Sequence, residues 1–175
     1  MSPGALERQT PSRTSLVLAR RGLAFAAFAV WLGGLTFYAL VVVPVGTKVL
    51  GGPVAQGFVT QAVTVRLNLV ALAALAALAW NAFALRERRP IVGTWAVMLA
   101  AQALLFVLHP SLDRLLDLAT RTVVDHARFY ATHRVYLLVT AAQWLAGVIH
   151  MGFVLAAWRA EDRGERTQAP RSPGG

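Results

Sequence analysis

The chain contains no cysteine. Disulfides, thiolate metal sites and cysteine nucleophiles are therefore excluded. Lysine is almost as rare: sixteen of the 17 basic residues are arginine, and Lys48 stands alone. Only 14% of the residues are charged, against about 25% in a typical soluble domain. There is no Gly-rich phosphate loop, no HExxH helix and no GxSxG elbow, so the usual signatures of nucleotide, metalloprotease and hydrolase chemistry are missing.

The missing charges are concentrated in four places. No Asp, Glu, Lys or Arg occurs between Arg21 and Lys48, Arg66 and Arg86, Arg89 and Asp113, or Arg134 and Arg159. Each gap is close to the ~20 residues that cross the hydrocarbon core of a bilayer. With 57% hydrophobic residues and a mean hydropathy of +0.55, the chain reads as an all-α integral membrane four-helix bundle. The predicted spans cover residues 23–43, 66–85, 91–109 and 135–158, within a transmembrane domain at 22–159. The first apolar run exceeds the ~7–15 residues of a signal-peptide core, so it is expected to remain as span one.

Residues 1–21 and 160–175 are polar, rich in Pro, Gly or Arg, and are expected to be disordered tails. Pro44, Gly46, Gly51, Gly52 and Pro53 predict a loop after span one. A second helix is expected to start near Val54, because Val54, Phe58, Ala62 and Val65 recur at helical spacing. Residues 111–134 are too charged to cross a membrane. Leu115, Leu116, Ala119, Val123 and Val124 repeat on one side, and Asp117/Arg121 and Asp125/Arg128 stand four and three apart. That pattern predicts an amphipathic surface helical segment between spans three and four.

Eleven arginines lie in the N-terminal segment, the turn at Arg86–Arg89 and the tail, whereas the other two connections hold six basic residues. This asymmetry places both termini in the cytoplasm. A net charge of +9 could point to nucleic acid, but these residues flank apolar runs and form no patch. The arginine- and alanine-rich, lysine-poor composition resembles that encoded by a GC-rich bacterial genome. The expected location is a bacterial inner membrane, with lipid as the first partner and a homo-oligomer or membrane complex as a further possibility.

Polar residues inside spans are the first places to look for a site. His150 is the one ionisable side chain deep within a span, and Gln143 precedes it on the same face. Asn81, Thr94 or a backbone carbonyl would satisfy such a buried histidine, and the adjacent Met151 would suit copper(I). A second polar group gathers around the third connection: His109, Asp113, Asp125, His126, Tyr130, His133, Arg134 and Asn68. Two histidines at one depth on neighbouring helices are what a haem b group needs, which singles out His109 and His133. His126 and His133 share a helical face, and His126, His150 and Met151 are additional metal candidates. No carboxylate falls within a predicted span, and no nucleophile–base pair can be assembled.

The stretches WLGGLTFYALVVVP, RLNLV, HPSLDRLLD and RFYATHRVYLLVTAAQW touch all four spans. In them the chain resembles small four-span bacterial membrane proteins and is distantly similar to the membrane domain of CopD-like copper-resistance proteins. That resemblance implies a membrane four-helix bundle and an association with copper handling, although Met1, Met98 and Met151 are the only methionines. The leading expectation is a non-enzymatic structural, accessory or small-molecule-handling component without a cofactor. The alternative is a haem- or copper-binding protein built on His109 and His133.

Overall fold

The computed structural model describes residues 13–86, 88–117, 120 and 122–168. Five helices and one small hairpin follow in order. Helix α1 is Arg13–Phe37, and a π-helical turn, Tyr38–Val42, joins it to α2, Val43–Val49. Helix α3 is Pro53–Ala84, α4 is Arg89–Asp113, and α5 is His126–Gln168. Strands β1, Leu116–Asp117, and β2, Thr122–Val123, pair antiparallel between α4 and α5. Helix α1 packs on α3, α3 on α4, and α4 on α5, and α5 returns to touch α1. One end of this bundle carries the hairpin; at the other the start of α1 meets the end of α5.

The outside of the bundle is apolar, and six polar side chains lie within its mostly apolar core. Gln56, Asn68, Asn81, Gln102, Gln143 and His150 are buried, whereas Leu40 is 72% and Val107 69% exposed. Water-soluble proteins bury such aliphatic residues and expose such amides. The inversion fits a lipid surround, in which helices gain nothing from hiding aliphatic groups and are joined by small residues and internal hydrogen bonds. Four helices are long and apolar enough to cross a membrane: Thr14–Val49, Pro53–Ala84, Arg89–Asp113 and His126–Gly164.

Small residues set the closest approaches. A Cβ on Gly147 would stand 2.9 Å from Cζ3 of Trp31, so the α1–α5 contact requires glycine there. At the terminal end, Arg21 donates to Glu161 Oε2 (2.9 Å) and Asp162 Oδ1 (2.8 Å) and lies over the Trp158 ring. The Trp158 indole N–H in turn donates to Asn81 Oδ1 at 3.2 Å.

Several boundaries differ from the sequence reading. Helix α1 already runs at Arg13, and α5 continues to Gln168, so 13–21 and 160–168 are helical where disordered tails were expected. The ion pairs of Arg21 with Glu161 and Asp162 hold these two extensions against each other. Residues 1–12 and 169–175 lie outside the described part. Pro44 does not stop the first helix either. In an α-helix its ring would meet the carbonyl of Leu40. The chain widens just before it, so that the Val43 N–H reaches back to Tyr38 O, and the helix continues to Val49. The turn comes at Gly51 and Gly52, whose φ values of +78° and +156° suit glycine.

Among the described residues, the expected separate surface helix between spans three and four is absent. Helix α4 absorbs Ser111–Asp113, α5 already begins at His126, and the hairpin lies between them. Asp117 Oδ1 accepts from the Thr120 N–H at 3.3 Å, a side-chain-closed turn that competes with helix, and the β-branched Thr122 and Val123 favour a strand. Asp125 caps α5: its carboxylate accepts from the Arg128 N–H at 3.0 Å. Asp117 and Asp125 were therefore turn and cap signals here. Ala119 and Arg121 lie outside the described residues.

Candidate functional site

At the hairpin end the helices part around a cavity of about 360 Å³. The C-terminal half of α1 and the π turn form one wall, the N-terminal half of α3 the next, and the end of α4 and the start of α5 the remaining two. Leu116 and Val123 of the hairpin sit over it. Pockets for small molecules typically span about 300–1,000 Å³, are mainly apolar, and carry a few placed polar groups. This one fits that description.

Its inner end is a chain of hydrogen-bonded amides. Gln143 Nε2 donates to Gln102 Oε1 (2.9 Å) and to Met98 O (3.1 Å). Gln102 Nε2 donates to Asn68 Oδ1 (3.1 Å), and Asn68 Nδ2 donates to the Tyr136 hydroxyl (3.2 Å). The ladder crosses from α5 through α4 to α3 and back to α5. Each amide would be expensive in lipid alone, and together they are satisfied.

The outer part is less complete. Gln61 Nε2 donates to Asp113 Oδ1 at 2.8 Å, and His109 Nε2 lies 3.5 Å from Asp113 Oδ2 one helical turn away. Tyr38, on the buried face of α1 with Ala24 and Trp31, donates to Thr60 Oγ1 at 2.9 Å, and Thr60 donates to Gln56 O. The Gln56 side chain fills the space over Gly46, where a Cβ would collide with it. Gln56 Nε2 and His109 Nε2 are buried without a hydrogen-bond partner. Among the described residues, those are the two buried side-chain atoms of the lining that make no hydrogen bond, although His109 Nε2 faces the Asp113 carboxylate.

The sequence candidates divide between this cavity and other places. His109, His133, Asn68, Gln143, Tyr130 and Asp113 all line it. The His133 ring is stacked on Phe129, with centroids 5.7 Å apart and 5° between planes. His126 is exposed and stacked against Tyr130, and Arg134 is exposed; neither lines the cavity. His150 and Met151 belong to the packed core nearer the terminal end, with His150 Nδ1 3.0 Å from Thr94 Oγ1. The structure therefore brings His109 and His133 to one space and leaves His126, His150 and Met151 apart from it. Among the described residues, no three His, Cys, Asp or Glu side chains converge as a metal site would require.

Gln56, Gln61, Gln102 and Tyr38 are site residues that sequence reading passed over. A signal existed for Gln102, an uncharged amide inside MLAAQALLF. For Tyr38 the signal was its seven-residue spacing from Trp31 and Ala24, which are buried on the same face of α1. Comparison with known proteins adds nothing to this geometry. No family model, curated protein or solved structure matches the chain.

Proposed function

We propose that this chain is a non-enzymatic membrane protein that binds a small, largely apolar molecule in the cavity at the hairpin end. The observation that carries this reading is the combination of apolar walls, a satisfied amide floor and buried polar atoms without hydrogen bonds at the rim. A purely structural bundle would gain by closing such a space, since unfilled volume forfeits packing contacts. The expected result with purified protein in detergent is saturable enhancement of an apolar fluorescent probe, displaced by competing hydrophobic compounds. A response no greater than that of empty micelles would sink the proposal.

A second reading has one observation in its favour: His109 and His133 both line the cavity, from α4 and α5. These imidazoles would be the ligands of a haem b group or a copper ion. A visible spectrum and metal analysis of the same preparation decide it. A Soret band lost in His109→Ala or His133→Ala establishes haem, and a colourless, metal-free protein dismisses both cofactors.

The proposed setting is a bacterial inner membrane, with the hairpin outside and both termini in the cytoplasm. The arginine asymmetry supports it. Since the chain has no native cysteine, single cysteines report sidedness cleanly. Val124 is exposed in the hairpin, and a Cβ on Gly164 meets nothing. A membrane-impermeant maleimide should label Val124→Cys in intact cells, and Gly164→Cys only after permeabilisation. Labelling of both in intact cells would refute the four-span arrangement.

A further inference from the structure

We propose that the ligand of the cavity is a lipophilic cation, with Asp113 as its counter-ion; this rests on the cavity being the binding site. Among the described lining residues, Asp113 is the one carboxylate, and no Lys or Arg is present. Its nearest polar partners are the neutral Gln61 amide and the His109 imidazole. The amide orients the carboxylate without cancelling its charge.

Asp113 is also the last residue of α4, and Arg114, the C-cap that follows it, does not line the cavity. A carboxylate at a helix C-terminus faces the negative end of the helix dipole, so two unfavourable terms meet at one place. A cation relieves both. The rest of the wall suits the body of such a ligand. Trp31, Tyr38, Phe129, Tyr130 and Tyr136 line the space, and aromatic faces attract cations while accepting apolar surface. An anion would meet Asp113 with no compensating charge. A hard divalent metal ion would find only one carboxylate, and no three His, Cys, Asp or Glu side chains converge among the described residues. An organic ammonium or phosphonium, charged at one point and apolar elsewhere, meets neither objection.

The test uses two ions of the same shape and opposite charge, tetraphenylphosphonium and tetraphenylborate, titrated calorimetrically into the full chain in detergent. Wild-type protein should bind the phosphonium at least tenfold more tightly than the borate. Asp113→Asn should remove that preference, and Asp113→Glu should keep it. Equal or tighter binding of the borate by the wild type overturns the proposal, as does an unchanged preference in Asp113→Asn. If both ions bind and Gly57→Leu abolishes both, the cavity reading survives such a result. If neither ion binds to the wild type, or if Gly57→Leu changes nothing, the cavity reading fails as well.

Discussion

Replacing Gly57 with leucine is expected to abolish binding in the cavity, lowering probe affinity more than tenfold, while making the protein more stable. Gly57 lines the cavity from the interior of α3, and a Cβ built on it meets no atom within 4 Å. The added side chain therefore enters the space a ligand would occupy and forces little else to move. Within a helix, glycine is worse than alanine by about 0.8–1.0 kcal/mol, and leucine is nearly as good as alanine. The two readouts should move in opposite directions. A variant that loses binding because it is damaged would lose both together, so paired titration and thermal melting in detergent tell the cases apart. Retained affinity in a stable Gly57→Leu protein would show that ligands bind somewhere else.

Gln102→Leu should lower stability although it leaves the side-chain volume nearly unchanged. It removes the acceptor of Gln143 Nε2 and the donor to Asn68 Oδ1 at once. Gln143 keeps Met98 O and Asn68 keeps Tyr136, so the ladder is cut without being emptied. Leaving a buried polar group unsatisfied costs about 1–3 kcal/mol. The expected loss lies in that range, read by reversible unfolding in detergent. Gln143→Leu made on top of Gln102→Leu should cost less than it does alone, because the pair has already been broken. Additive losses would mean that the two amides do not cooperate as their 2.9 Å separation implies.

What was legible beforehand follows from which forces act locally. The four apolar helices were visible because charge is excluded from the hydrocarbon whatever the tertiary structure, and the arginines mark where that exclusion ends. Asn68, Gln143, His109, His133, Tyr130 and Asp113 could be picked out because a polar group near or inside a span needs a partner. Which of them meet was not legible. His126 and His133 share a helical spacing of seven, yet only His133 faces the cavity, since position on a helix says nothing about where the neighbouring helices stand. The third connection misled for a different reason. An aspartate can use the backbone N–H three residues on to close a turn or cap a helix, and Asp117 does the first with Thr120 and Asp125 the second with Arg128.

The turn after α1 illustrates a kind of information that hydropathy does not contain. The π turn at Tyr38–Val42 holds one residue more than α-helical geometry would allot to it, and an α-helix advances about 100° for each residue. That surplus fixes the phase of α2 relative to α1, so Pro44 is accommodated while Tyr38 keeps to the face that meets Thr60. Deleting any one residue from 38–42 would shorten the apolar run by a single position and leave its membrane signal intact. The rotation would nevertheless carry one half of the helix around by more than a quarter of a circle relative to the other, presenting a different stripe of side chains to α3. Two chains with indistinguishable hydropathy profiles could thus surround quite different interiors.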